Sequence, residues 1–178
     1  MAIRIKISTI FESDRLERDF HEEIYEAHRV DALAMERLTK SPFVIDVYSY
    51  CGQTGINEYA TFGDDMHIFR DFTKELRTKT GKNVLKLKLE VATMIAEAVQ
   101  HVHEIDGVDN ATMVHYDINP SNVVITHGGI PKLNDFNVAH LFYWDSMRNE
   151  RCPFNSHLST PWWRAPEEME VGNTIDGK

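Results

Sequence analysis

Cysteine is nearly absent. The two in 178 residues, Cys51 and Cys152, are too few for a disulfide framework and lack the spacing of metal ligands, which points to a reducing, intracellular and cytoplasmic setting. Long apolar runs are missing too. No window reaches the roughly 18 apolar residues of a membrane span, and the opening "MAIRIKISTIFESDRLERDF" has no unbroken apolar core of a signal peptide. Basic charge is in deficit: Lys+Arg of 19 against Asp+Glu of 28 gives a net charge of -9, which disfavours nucleic acid and anionic membrane as partners. The richest basic stretch, "KELRTKTGKNVLKLK" from Lys74 to Lys88, is interleaved with leucines at helical spacing and reads as a solvated helix face. Internal repeats and low-complexity tracts are lacking as well.

What is present is enough apolar material for a core. Hydrophobic residues make up 42% and aromatic residues 10% of a chain whose length suits one domain or part of a larger one. From Ala2 to Ile7 apolar and basic residues alternate, the period of a half-buried strand. Asp19 to Leu38 carries Phe20, Ile24, Ala27, Val30, Leu33, Ala34 and Leu38 as a helical stripe that should stop before Pro42. "FVIDVYSYCG" is β-branched and aromatic and predicts a strand; "QTGINEYATFGDD" predicts a turn, a short strand and a connector. Val84 to Glu104 predicts a long helix with Leu85, Leu89, Ala92, Ile95, Ala96, Val99 and Val102 on one side. Two short strands, "NVVIT" and "PKLND", follow around the turn "HGGI". Leu141 to Trp163 reads as irregular.

The stretch "VHYDINPSNVVITHGGIPKLNDFNVA" sets Asp117 and Asp135 into apolar surroundings, where an unpaired carboxylate is costly. A hairpin of the two strands brings Asn122 and Asp135 to the same end. An amide oxygen and a carboxylate converging there suit a hard divalent cation, and Mg²⁺ takes one or two protein oxygens with phosphate and water. Asp117, five residues before Asn122, faces the same region and is suited to accept a proton. The pattern suggests metal-assisted phosphoryl transfer.

"HYDINPSN", then "KLNDFNVA", then "STPWWRAPEE" resemble the catalytic loop, metal-binding motif and APE segment of eukaryotic protein kinases, in the family's order. The resemblance extends over nearly the whole chain. The helix around Asp31 resembles the helix of the small lobe, "NEYA" resembles the hinge, and the helix ending "HVHE" resembles the one before the catalytic loop. It implies an α+β, two-lobed protein kinase-like fold, incomplete at both ends. Residues 1–60 would be the remnant of the small lobe and hinge, and 61–178 part of the large lobe through the APE segment.

The resemblance also implies roles. Asp117 orients the acceptor hydroxyl and takes its proton, with Asn119 beside the γ-phosphate. Asn122 and Asp135 hold magnesium. Lys6, or Arg4 on the same strand face, pairs with Asp31 and the phosphates. Glu58, Tyr59 and Ala60 line the adenine side of ATP, with Val124 beneath the base. His115 and Phe136 pack beneath the site with Met35 and Val47, and Thr160 and Pro161 lie where a protein substrate docks. The implied reaction is ATP-dependent phosphorylation of serine or threonine in a protein, tyrosine being less favoured. The alternative is a catalytically impaired relative acting as a binding scaffold. A small-molecule phosphotransferase of similar fold is disfavoured by the hinge, Phe136 and the APE segment.

Departures from the pattern cluster around the chemistry. Tyr116 stands where the catalytic loop usually has arginine, so docking of a phosphorylated segment there loses its cation. Asn119 stands where Ser/Thr-type members carry lysine, which removes a charge from the transition state. Asn137 replaces the glycine after Asp135 and Phe136, Asp31 replaces a longer glutamate, and no G-x-G-x-x-G occurs. With no helices after "APEE", the apolar side of the Val84–Glu104 helix is expected to be open.

Overall fold

A computed structural model describes residues 4–7, 22–51, 54–62, 74, 77–81, 83–108, 111–156, 163–169 and 172–175. The opening alternation forms β1 (Arg4–Ile7). Next comes α1 (Glu22–Arg37), with Glu22 and Glu23 in its first turn and Arg37 in its last, each at the end of the helix dipole that favours its charge. β2 (Val47–Cys51) and β3 (Thr54–Asn57) follow, and β3 lies between the other two strands in an antiparallel sheet that sets Lys6 opposite Gly55.

The buried face of α1 differs from the expected stripe. Ala32, Ala34, Met35 and Leu38 are buried, whereas Ile24 is exposed. Among the described residues only the C-terminal half of the helix is buried in the core, so the apolar period is not imposed on its first two turns there. The run "FVIDVYSYCG" also divides. Its second half is β2, but Phe43 to Ile45 leaves that sheet and runs parallel to Leu133, with Ile45 N–H on the Leu133 carbonyl (2.9 Å) and Leu133 N–H on the Phe43 carbonyl (2.8 Å). One apolar run therefore serves two sheets.

β4 (Ala60–Phe62) begins the second part of the chain, and residues 77–80 are helical with exposed side chains, as a solvated basic face requires. α2 (Val84–His103) starts at Asn83, whose side chain accepts the Leu85 N–H (2.8 Å). Its buried residues are Leu87, Val91, Ala98 and Val102; Leu85 and Leu89 of the expected stripe are 65% and 59% exposed. The helix is apolar on more than one side, and the described residues cover only one of them.

β5 (Met113–Val114) leads to a short 3-10 turn, Pro120–Asn122, then to β6 (Val123–Thr126) and β7 (Pro131–Leu133). These last two form the expected hairpin, in register Val123 to Leu133, and β4 pairs on the outer side of β6. The turn "HGGI" needs glycine: Gly128 and Gly129 have φ of 99° and 79°, a region that Cβ atoms disfavour.

The stretch expected to be irregular contains β8 (His140–Leu141), β9 (Trp144–Asp145), β10 (Glu150–Arg151), β11 (Phe154–Asn155) and, after a 3-10 turn at Pro166–Glu168, β12 (Thr174–Ile175). β8 pairs with β5, β9 with β10 and β11 with β12. Two-residue strands carry no readable period. The β9–β10 turn is closed instead by Asp145, whose Oδ1 accepts the Met147 and Arg148 N–H groups (2.8 and 3.1 Å).

One cluster holds these layers together. Met35 of α1, Leu38 just after it, Val44, Ala98 and Val102 of α2, Val123 and Val124 of β6, Leu133 and Phe136 are all buried in it, with Val47 packed against its side.

Candidate active site

The loop between β5 and β6 is shaped by its own polar side chains. Asn119 accepts the Ser121 N–H on Oδ1 (2.8 Å), capping the turn at Pro120–Asn122, and its Nδ2 donates to the Asp117 carbonyl (3.3 Å). Both ends of its amide are thus engaged inside the loop. Asn122 Nδ2 donates to the Asp117 carbonyl (2.9 Å) and to Asp117 Oδ2 (2.8 Å). These bonds hold the two groups expected to serve proton and metal side by side.

The hairpin brings Asp135 to them. Asn134 N–H donates to the Asn122 carbonyl (2.9 Å), extending the β6–β7 ladder by one step, and the backbone then turns at Asp135 with φ 65°. The strained residue of this motif is therefore Asp135, not the Asn137 that replaces glycine, since Asn137 has ordinary negative φ. An aspartate tolerates that conformation better than most residues. Tyr116 takes the same left-handed form, with φ 64°.

His115 ties the two motifs from beneath. Its Nδ1 accepts the Asp117 N–H (3.3 Å), so the proton sits on Nε2, which donates to the Asn134 carbonyl (3.1 Å). Burial pushes its imidazole below the usual histidine range, against the opposing pull of the Asn134 carbonyl and of Asp117 and Asp135. Its ring lies 4.4 Å from that of Phe136, which is fully buried.

Asp31 reaches this motif from α1: its Oδ1 accepts the Phe136 N–H (2.6 Å). The shorter acid thus anchors the helix to the backbone beside Asp135. The ion pair expected between Asp31 and Lys6, or Arg4, lies outside what is described, because the side chains of β1 are not; Thr160 and Pro161 also lie outside the described residues.

On the other side, Glu58 N–H donates to the Asp46 carbonyl (2.8 Å), so of the Glu58 backbone only the carbonyl remains for a base. Its carboxylate pairs with Lys132 Nζ (2.6 Å), which also lies 3.5 Å from Asp46. Lys132 is buried on β7 opposite Val124, so this triad fixes the "NEYA" segment to the hairpin. Ala60 is registered against Thr126, and Val124 is buried in the core cluster.

The motif reading gave Arg164, Ser156 and Lys132 no part in holding the site together. Arg164, within the quoted "STPWWRAPEE", places Nη2 2.7 Å from Asp117 Oδ1, donates Nη1 to the Tyr116 carbonyl, and lies 3.5 Å from Glu168 Oε2. Ser156 accepts from the Tyr116 hydroxyl (3.2 Å) and donates to the Glu168 carbonyl (2.9 Å). A lone cation between two tryptophans and a proline was the available signal for Arg164; Ser156 offered none. Where arginine was expected in the loop, Tyr116 instead packs edge-on against His140 and Phe154.

Among the described residues no group of three or more His, Cys, Asp or Glu forms a metal cluster, and no helix is long and apolar enough to cross a membrane. The pair Asn122 and Asp135 nonetheless fits Mg²⁺: both supply hard oxygen, and no described residue hydrogen-bonds Asn122 Oδ1, its Nδ2 being turned to Asp117.

The protein kinase domain family model matches residues 10–177. The chain is similar to the serine/threonine-protein kinase hippo of Drosophila melanogaster, 28% identical over 159 residues, covering 87% of this chain and 20% of that protein. It is similar also to the serine/threonine-protein kinase cst-1 of Caenorhabditis briggsae, 27% identical over 145 residues, 79% of this chain and 26% of that one. With the serine/threonine-protein kinase TAO2 of Xenopus laevis it shares 32% identity over 94 residues, 51% of this chain and 8% of the relative. The chain spans about a third or less of these relatives' own length, 36% of a probable cell division protein kinase of Encephalitozoon cuniculi for example. With a match over almost its full length and an α+β fold that assembles the three motifs, this chain belongs to the eukaryotic protein kinase domain family.

Proposed function

We propose that this protein transfers the γ-phosphoryl group of Mg·ATP to a serine or threonine hydroxyl of a protein substrate. The observation that carries the reading is the union of Asp117, Asn122 and Asp135 at one end of the β6–β7 hairpin, through the Asn122 bonds to Asp117 and the Asn134–Asn122 backbone bond. Residues 1–60 then serve as small lobe and hinge, and 61–178 as large lobe through the APE segment.

Asn122 and Asp135 would hold the magnesium, which when bound would offset the negative charge of the phosphates. Asp117 orients the acceptor hydroxyl and takes its proton. Asn122 fixes the carboxylate for that task, and His115 holds the Asp117 backbone. The Glu58 carbonyl and Ala60 flank the adenine, Val124 supports it, and Lys6 reaches the phosphates. The preference for serine and threonine is taken from the similar serine/threonine-protein kinases.

A test is incorporation of label from γ-labelled ATP into a serine/threonine peptide library. Transfer is expected to need divalent cation and to fall by about 10²-fold or more in Asp135→Asn. Label that appears equally with chelator, or equally in Asp135→Asn, would sink the reading. A second reading, a scaffold that binds nucleotide without turnover, draws on Asn119, which brings no charge and whose amide is engaged within the loop. It predicts Mg·ATP-dependent thermal stabilisation with no transfer.

A further inference from the structure

The position that lacks its lysine does not leave the catalytic loop without a cation. Arg164, from the segment before the Pro166–Glu168 turn, places its guanidinium on the Asp117 carboxylate, with Nη2 2.7 Å from Oδ1. Its side chain is only 6% exposed, so solvent and salt screen the charge weakly. The loop is built to receive it: the left-handed turn at Tyr116 directs the carbonyl to Nη1, and the Tyr116 ring lies 5.5 Å from the guanidinium carbon. Glu168 braces the other side, 3.5 Å from Nη1, while its Oε1 accepts the Ala165 N–H (3.4 Å). Arg164 Nε is buried with no acceptor among the described residues.

We propose that Arg164 is a positioning residue of the phosphoryl-transfer centre, holding Asp117 and supplying from the APE segment the positive charge that Asn119 does not carry. This rests on the kinase reading above. The contact does not block Asp117. A carboxylate has about four acceptor sites; Arg164 takes one on Oδ1 and Asn122 one on Oδ2, so each oxygen can still accept from a substrate hydroxyl. A guanidinium cannot itself take up the proton, which leaves that task to the carboxylate. Lysine at 119 and arginine at 164 are then two routes to one charge.

That equivalence is the test. The purified protein is compared with Arg164→Gln, Arg164→Lys, Asn119→Lys and the double variant Arg164→Gln/Asn119→Lys, reading kcat, KM for Mg·ATP, the melting curve and the Mg·ATP-dependent thermal shift. Arg164→Gln should lose about 10²-fold in kcat while KM changes less than about threefold, Arg164→Lys should fall between, and Asn119→Lys should restore about tenfold or more to Arg164→Gln. A folded Arg164→Gln with wild-type kcat, or one that Asn119→Lys does not rescue, overturns the proposal. Should Arg164→Gln fail to fold, Asn119→Lys alone decides: a gain of about tenfold or more over wild type shows that the charge was missing and overturns it, whereas little gain supports it. A wild type that shifts with Mg·ATP but transfers only after Asn119→Lys overturns this proposal and leaves the proposed chemistry standing. Absence of both shift and transfer in every form overturns the proposed function, and this proposal with it.

Discussion

His115 shows how one side chain can bind a site together and make it sensitive to acid. Its neutral form is required twice, Nδ1 accepting from Asp117 N–H and Nε2 donating to the Asn134 carbonyl, and burial holds its pKa below the ordinary histidine range. As pH falls through about 6.5 the unfolded chain takes up a proton that the native state refuses. The unfolded state then binds more protons, so stability falls with pH until the depressed native pKa is reached, and levels off below it. His103, lowered by burial and then by Arg151, adds a slope of the same sign, so the comparison must be between variants. His115→Gln is expected to melt lower at neutral pH but to lose less stability between about pH 7 and 5.5 than wild type. Equal slopes would contradict the assignment. At this scale the sequence exposed Asp117, Asn122 and Asp135 because their motifs are local. It hid Arg164 and Lys132, whose partners lie 47 and 74 residues away.

Elements were legible where a period had room to repeat. The long helix was expected at Val84–Glu104 and is found at Val84–His103, and the hairpin appears with its glycine turn where the residues put it. The face of the helix was not legible. Its leucines fall on two sides, and periodicity alone cannot say which side meets the sheet; Leu87 is fully buried while Leu89 is exposed. Leu87→Ala should therefore cost about 2–4 kcal/mol by removing packed methyl groups, and Leu89→Ala less than about 0.5 kcal/mol. Urea unfolding of both variants checks this, and equal losses would contradict the packing. Leu85 and Leu89 are exposed among the described residues. The two-residue pairs from β8 onward were beyond reach, because each is fixed by a partner strand or a turn rather than by its own pattern.

For the whole molecule, the order of three motifs carried more than composition did. A net charge of -9 and scarce cysteine name no family; the loop, hairpin and APE segment together did. The fold ties them together. Asp31 links α1 to the Phe136 backbone, Lys132 links the "NEYA" segment to β7, and Arg164 links the last motif to the first, so three distant parts of the chain are tied to the hairpin and the loop before it. The departures at Tyr116 and Asn137 are absorbed by this network: Tyr116 supplies a carbonyl and a hydroxyl, and Asn137 carries no backbone strain. The central claim is that phosphoryl transfer at the hairpin end depends on Asp117. It is tested most directly by the initial rate of γ-phosphate transfer from Mg·ATP to a serine/threonine peptide, comparing wild type with Asp117→Asn. A fall of about 10²-fold or more, with the Mg·ATP-dependent thermal shift retained, is the predicted result; equal rates in the two proteins would contradict it.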